Sequence, residues 1–179
     1  MPKYVAFLRA INVGGHTVKM DYLRSLFESV GCANVETFIA SGNVIFDSKS
    51  RNTTSLEQKI EKHLRKILGY EVRTFIRATS ELAEVADYKP FSRAELNAAG
   101  NFLYVGFLAD EPGNEGKKRV LSLSGPTDEF AVHRRELYWL IRTSFSESAV
   151  SGALLEKTLG MPATFRNMNT VKRIAAKYS

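Results

Sequence analysis

The residues best suited to binding chemistry stand close together near the N-terminus, in the stretch FLRAINVGGHTVKM. Here an apolar run is followed by basic, amide and glycine residues: Arg9, Asn12, Gly14, Gly15 and Lys19. Glycine adopts positive φ at no steric cost, so a Gly-Gly turn can direct backbone N–H groups at an anion, and basic and amide side chains can add charge and hydrogen bonds. The stretch therefore predicts an anion-binding loop. The alternative is a tight strand-to-helix connection that needs two flexible residues only for its own geometry.

A second candidate site lies near the C-terminus, in the stretch TFRNMNTVKR. A short strand there leads into a helix through Arg166 and Asn167, which places an arginine beside the free N–H groups of a helix start. Such a pair can bind a carboxylate or a phosphate. The alternative is a terminal helix capped by Asn167, with a surface ion pair.

A third polar motif is ASGNVIF, in which Ser41, Gly42 and Asn43 have the composition of a hairpin turn. Turn formation alone explains these residues. From the strand order of a βαββαβ unit we expect this turn at the end of the sheet opposite to the glycine loop. The two motifs could then share a site only across units.

Residues for catalysis or metal binding form no recognisable set. His16, His63 and His133 are far apart in the sequence, and neither an HExxH spacing nor a G-x-S-x-G turn occurs. Cys32 is the single cysteine, which excludes an internal disulfide and a cysteine-only metal cluster, and no neighbouring cation or helix start activates it. The sequence therefore predicts no metal site and identifies no cofactor, and enzymatic activity stays open.

Composition indicates a globular protein of 179 residues, with 44% hydrophobic and 25% charged residues. No apolar run approaches the roughly 20 residues of a membrane span, and no secretory cleavage site follows the N-terminal apolar run, so we expect a cytoplasmic protein without a membrane partner. The net charge of +6 is spread evenly on both sides of Pro90. This charge permits an anionic small molecule or a nucleic acid as partner, although a spread charge is also typical of an ordinary surface.

The elements that must position these residues follow from periodicity. Apolar residues predict a strand over residues 3–9, a helix over 20–30, a hairpin turning at Ser41–Gly42, a helix over 53–68 and a strand over 72–77. In the longer helix, Thr54 with Glu57, or Ser55 with Gln58, would form a capping box. A short helix over residues 80–86 completes the first half.

The same order returns after the turn-forming segment DYKPFS, at an offset of roughly 90 to 99 residues. A strand in NFLYVGFLA, a weak helix over 114–123, a hairpin turning near Arg134–Arg135, a helix over 148–159 and a short strand in ATFR precede the terminal helix. We therefore predict an α+β fold of two tandem βαββαβ ferredoxin-like units with antiparallel sheets, residues 1–90 and 91–179. Their apolar sheet faces would pack against each other or form a homodimer.

The chain resembles a family of bacterial proteins known as domain of unknown function 1697. The resemblance is strongest over the first 47 residues, in FLRAINVGG and SGNVIF, and TFRNMNTV is similar to the closing signature of that family, which usually has tryptophan at the position of Met168. It implies two ferredoxin-like units in a cytosolic bacterial protein and no settled activity. The matching positions are mostly glycine and polar residues: Arg9, Asn12, Gly14, Gly15, Lys19, Met20, Ser41, Gly42, Asn43, Arg166, Asn167 and Thr170.

Three functional hypotheses remain from the sequence. The leading one is a binding module for a phosphate-bearing or other anionic ligand, including nucleic acid, with the N-terminal glycine loop or the pair Arg166–Asn167 as its site. The second is a small enzyme acting on an anionic metabolite held by Arg9 or Arg166. The third is an oligomeric interaction protein whose apolar sheet faces form the interface.

Overall fold

A computed structural model describes residues 1–11, 15–143 and 147–179. The chain divides into two compact units, residues 1–83 with 174–179, and residues 84–173. We call them unit 1 and unit 2 and describe each by itself. The predicted division of the chain into units of residues 1–90 and 91–179 stays a prediction.

Apart from the short helix α4, the elements follow each other in the predicted order. Those of the first half are β1 (Lys3–Leu8), α1 (Met20–Ser29), β2 (Ala33–Phe38), β3 (Ala40–Asp47), α2 (Thr53–Leu68), β4 (Thr74–Ala78) and α3 (Thr79–Asp87). Those of the second half are α4 (Arg93–Asn97), β5 (Phe102–Leu108), α5 (Asn114–Leu121), β6 (Asp128–His133), β7 (Glu136–Ile141), α6 (Gly152–Leu159), β8 (Ala163–Asn167) and α7 (Met168–Tyr178).

Both sheets have four antiparallel strands, in the orders β2-β3-β1-β4 and β6-β7-β5-β8. The predicted α+β fold of two βαββαβ units is therefore confirmed. Among the described residues, no helix combines the length and the apolar composition that crossing a bilayer requires.

The core of unit 1 lies between its sheet and helices α1 and α2. Every second residue of β1, from Tyr4 to Leu8, packs in this core together with Phe27 of α1 and Ile60 of α2. The core therefore forms from the apolar stripes of the two helices and one face of the sheet, as the helical spacing of three and four predicts.

Helix α2 begins differently from the prediction. Its N-cap is Asn52, whose side chain accepts a hydrogen bond of 3.0 Å from the backbone N–H of Ser55. Neither predicted capping box forms, because an asparagine stands one residue before the helix and Glu57 bonds to the sheet instead. The helix ends at Gly69, which has φ +82, as the glycine predicts.

Strand β4 lies at the edge of the first sheet, and glutamate side chains occupy its backbone donors. The donors belong to alternate residues, with N···O distances of 2.9 to 3.1 Å: Thr74 to Glu61, Ile76 to Glu57 and Ala78 to Glu81. Unit 2 has one such bond at its edge strand β8, where Glu156 of α6 accepts from the backbone of Ala163 at 2.9 Å. Each fourth strand is therefore held by side chains on its outer side.

The first hairpin turns at Ile39, not at the predicted Ser41–Gly42. Strand β2 ends at Phe38, β3 begins at Ala40, and Ile39 has φ +70 in the left-handed region. A β-branched residue is unfavourable in this region, so the sequence pointed to the serine and glycine that follow. The predicted hairpin itself is confirmed.

The prediction that the first hairpin turn and the end of β1 lie at opposite ends of the sheet is wrong. Strands β1 and β3 are antiparallel neighbours, and Phe7 near the end of β1 pairs with Asn43 near the start of β3. In an antiparallel pair the end of one strand lies beside the start of the other. The SGN motif therefore lies at the end of the sheet of unit 1 where β1 ends and Arg9 follows.

The core of unit 2 is centred on Trp139 of β7, whose side chain is fully buried. Its ring contacts Phe165 at 5.7 Å between centroids, and its Nε1 donates a hydrogen bond of 2.8 Å to Asp128. Asp128 also accepts from Ser148 Oγ at 2.6 Å. These bonds satisfy the buried side chain of Asp128, as a buried polar group requires.

Two helices of the second half depart from the prediction. Helix α6 begins at Gly152 after the N-cap Ser151, and not at Ser148, which bonds to Asp128 instead. The five-residue helix α4, capped by Ser92, was not predicted, because it is too short to show an apolar period.

Candidate functional site

The N-terminal set of predicted site residues belongs to unit 1. Gly15 is exposed with φ +85, as a flexible turn requires, and Lys19 is the exposed residue directly before α1. Arg9 is half-buried directly after β1. Asn12 and Gly14 lie outside the described residues, so the anion-binding loop stays a prediction.

The two predicted residues of the C-terminal pair, Arg166 and Asn167, have different surroundings. Arg166 Nη1 donates hydrogen bonds of 2.9 Å to Thr164 Oγ1 and to the carbonyl oxygen of Phe165, and burial lowers the pKa of Arg166 to about 10. Asn167 Oδ1 accepts from the backbone N–H of Asn169 at 2.9 Å, at the start of α7. Asn167 also lines a cleft.

This cleft lies in unit 2 and has a volume of about 400 Å³. It is built by the segment that follows α3, by α4, by the start of β5 and by the start of α7, and we call it the α4–α7 cleft. Its lining residues are Tyr88, Lys89, Phe91, Arg93, Leu96, Asn97, Asn101, Phe102, Leu103, Asn167, Met168, Asn169 and Lys172.

The charges of the α4–α7 cleft all have one sign. Lys89, Arg93 and Lys172 contribute three exposed cations, and none of the described lining residues is acidic. The side chains of these three residues form neither an ion pair nor a hydrogen bond with any described residue. The cleft is therefore a region of positive potential whose cations are available to a ligand.

Two acidic residues, Asp87 and Glu95, adjoin the lining in sequence without belonging to it, and Glu95 of α4 is paired with Arg142. Its Oε1 lies 2.6 Å from Arg142 Nη2, and Glu129 Oε1 lies 3.0 Å from the same nitrogen. Hydrogen bonds to Glu129 and Glu95 raise the pKa of Arg142 above its usual value. Glu95 therefore shares Arg142 with Glu129, and its side chain is not part of the lining of the cleft.

Aromatic and amide side chains make up most of the remaining lining. The ring of Tyr88 stacks on His133, with centroids 4.2 Å apart and an interplanar angle of 8°. Phe102, the first residue of β5, keeps 44% of its surface exposed. Asn101 donates from Nδ2 to the backbone carbonyl of Glu95 at 2.9 Å, which holds the loop after α4 in place.

The sheet brings the two parts of the lining together. Strands β5 and β8 are antiparallel neighbours, and Tyr104 near the start of β5 pairs with Asn167 at the end of β8. The segment before β5 and the first turn of α7 therefore meet at one end of the sheet. Sequence reasoning interpreted DYKPFS only as a break between units, although its tyrosine, lysine and phenylalanine all line the cleft.

Catalytic and metal chemistry has little support in the described residues. They contain no group of three or more histidine, cysteine, aspartate or glutamate residues that could hold a metal ion. Ser29 Oγ and His63 Nε2 are 2.8 Å apart on α1 and α2, but His63 bonds to no other described residue that could orient its ring. Cys32 is buried, and this burial raises its pKa to about 11, so its thiol is not activated.

Comparison with known proteins supports the fold and the family resemblance. The model of a protein family of unknown function, DUF1697, matches residues 1–138. The chain belongs to the DUF1697 family. The matched region includes the lining residues of the α4–α7 cleft between positions 88 and 103. The lining residues between positions 167 and 172, from β8 and α7, lie beyond it.

A solved structure has the same fold as this DUF1697 protein. It is described as that of the conserved bacterial protein SP0830 from Streptococcus pneumoniae, with a TM-score of 0.78 and 20% sequence identity over 99% of this chain and 98% of that chain. At this identity the likeness concerns the fold alone. No curated protein matches the chain in sequence.

Proposed function

We propose that this protein is a binding module for a phosphate-bearing anionic ligand and that the ligand occupies the α4–α7 cleft. The observation that supports this proposal is the convergence of three cations, unpaired with any described residue, on a cleft with no acidic residue in its described lining. A volume of about 400 Å³ lies in the range of small-molecule sites.

The three cations suit a phosphate in complementary ways. The guanidinium of Arg93 can bind two phosphate oxygens at once, whereas Lys89 and Lys172 act as mobile point charges. Lys89 precedes α4 and Lys172 lies on α7, so charges from two sides could hold one ligand. The same pattern would attract ligand from solution, because a cleft of one sign raises the local concentration of the opposite charge.

Calorimetric titration with inorganic pyrophosphate tests the proposal. We expect binding at about 50 mM salt that weakens several-fold at about 200 mM, because the ligand displaces screening ions. Arg93→Ala and Lys172→Ala should each weaken binding about 10- to 150-fold, the loss of one charge-assisted hydrogen bond of about 1.5 to 3 kcal/mol. Lys118→Ala is the control for the loss of one positive charge: its ammonium group is exposed on α5, outside the cleft, and lies 4.0 Å from Glu115 Oε1.

Two results would contradict the proposal. One is the absence of any binding at low salt. The other is equal weakening by Lys118→Ala and Lys172→Ala, which would show that only the net charge matters. Lys19→Ala belongs in the same series, because weakening by this variant alone would place the ligand at the glycine loop of unit 1 instead.

A cytoplasmic location is part of the same proposal. Its support is the single cysteine, Cys32, which is a buried thiol and therefore compatible with a reducing compartment. Fractionation of the native host cell tests it, and recovery of the protein outside the cytoplasm would contradict it.

A further inference from the structure

We infer that the ligand of the α4–α7 cleft carries a nucleobase, so that the group bound is a nucleoside phosphate, either free or as part of a single strand. The inference rests on the proposed function, in which the cations hold the phosphate. It concerns the rest of the lining, which is aromatic and amide in character. A site for inorganic phosphate alone needs neither kind of side chain.

The aromatic rings offer surfaces on which a base can stack. Phe102 is 44% exposed at the edge of the cleft, although a large apolar side chain gains free energy from burial. Tyr88 and Phe91 line the same cleft, and Tyr88 already stacks on His133 at 4.2 Å. Stacking of one base on an aromatic side chain typically strengthens binding about 5- to 100-fold.

The amides of the cleft can recognise the edge of a base. An asparagine side chain carries a donor and an acceptor side by side, which matches the adjacent acceptor and donor of a base such as adenine. The side chains of Asn97 and Asn169 form no hydrogen bond with a described residue, and Asn101 uses only its Nδ2 on the backbone of Glu95. Neutral amides add nothing to the net charge of the cleft, so their presence favours a ligand with a neutral polar part.

The two kinds of lining are combined within one small volume. Lys172 and Asn169 both lie in the α7 part of the cleft, and Phe102 and Asn101 adjoin each other at the start of β5. A ligand that fills the cleft therefore meets cations, rings and amides together. A nucleoside phosphate has the three matching parts: an anion, a planar ring and a polar ring edge.

The test compares ribose 5-phosphate with AMP, GMP, CMP and UMP by calorimetry at low salt. We expect at least one nucleotide to bind 10-fold or more tightly than ribose 5-phosphate. Phe102→Ala should remove about 5- to 100-fold of the nucleotide affinity and leave that of ribose 5-phosphate unchanged. Lys172→Ala should weaken both, since the phosphate is common to them.

Two further variants keep the result interpretable. Leu121→Ala is the matched control, because Leu121 of α5 is also 44% exposed and lies outside the cleft. Phe102→Leu retains an apolar side chain and removes only the aromatic ring, so it should reproduce most of the loss with an unchanged melting temperature. A loss in the Leu121 variant as large as that in the Phe102 variants would overturn the inference.

The outcomes separate this inference from the proposed function. If ribose 5-phosphate binds and no nucleotide binds more tightly, the nucleobase is refuted and the phosphate site stands. If none of these compounds binds at low salt, the proposed function fails as well. Tighter binding of a trinucleotide, with the same dependence on Phe102, supports the nucleoside phosphate within a single strand, whereas preference for the mononucleotide supports the free form.

Discussion

The close contact between Gly106 and Phe165 gives a prediction whose size follows from distances. Gly106 of β5 pairs directly with Phe165 of β8. A methyl group added at Gly106 would lie 2.7 Å from Cε1 and 3.1 Å from Cδ1 of the phenyl ring. Phe165 also meets Trp139 in a T-shaped contact with ring centroids 5.7 Å apart, which restricts how its ring can move.

The expected cost of Gly106→Ala can be worked out from this geometry. Ordinary contact begins at about 3.4 Å, so the nearest approach is too short by about 0.7 Å. Inserting a methylene group into a packed core typically costs about 1 to 3 kcal/mol. The alanine regains up to about 1 kcal/mol by restricting the unfolded chain, so we expect a net loss of about 1 to 2 kcal/mol in the free energy of unfolding.

Urea unfolding followed by tryptophan fluorescence measures this loss in the free energy of unfolding, with a signal from the core of unit 2. Trp139 is the single tryptophan and contacts Phe165, so its emission reports on the core of unit 2. Gly125→Ala is the control, because Gly125 is exposed and a methyl group there meets nothing within 4 Å. Its effect should stay within about 0.5 kcal/mol.

A double-mutant cycle identifies the cause. In a Phe165→Leu background, which lacks the ring, Gly106→Ala should cost about 1 kcal/mol less than in the wild type. The reasoning is refuted if Gly106→Ala shifts the unfolding midpoint no more than Gly125→Ala does. Strict additivity of the two substitutions would contradict it too, because the two residues would then not interact.

Two further predictions concern titrating groups. Burial raises the pKa of Cys32 to about 11, against the opposing effect of the charge of Lys59. Cys32 should therefore react with iodoacetamide at pH 8 far more slowly in the folded protein than in urea. Equal rates would contradict this prediction. Asp47 lies 2.7 Å from Asn34 Nδ2 and 2.9 Å from Lys3 Nζ, and these hydrogen bonds lower its pKa. Because the pKa of Asp47 is lower in the folded protein than in the unfolded chain, its carboxylate stabilises the folded protein above the unfolded pKa of about 4. This stabilisation is lost as the pH falls through the folded pKa. Asp47→Asn should therefore reduce the free energy of unfolding by about 0.5 to 1 kcal/mol at pH 7 and by less at pH 3, and an equal reduction at both pH values would contradict the assignment.

The fold could be predicted from the sequence because its signals are local and strong. The unbroken apolar run of β1, the stripe of α2 and the closing Gly69 each reflect a physical requirement of one element. Their order then fixes a βαββαβ topology for each half. Ile39 shows the limit of this reasoning, since nothing in its side chain favours the positive φ that the hairpin gives it.

The candidate site was harder to predict, because pairing between distant strands creates it. Its lining comes from residues 88–103 and 167–172, and only the β5–β8 ladder brings these segments to one end of the sheet. Among the described residues, Asn167 is the predicted site residue that lines the cleft. Lys89 and Phe91 supply a cation and an aromatic ring to the cleft. In the sequence they belong to the segment DYKPFS, whose proline and turn-forming residues indicated only a break between the two units.

The glutamates along β4 have a consequence for how this chain avoids association with others. An uncovered strand at the margin of a sheet can recruit an extended segment from another molecule, which is a common start of aggregation and of strand exchange. On β4 an incoming strand would first have to displace the carboxylates of Glu61, Glu57 and Glu81. A chain with two similar sheets carries an added risk of mispairing between repeats during synthesis, and these side chains close one route to it.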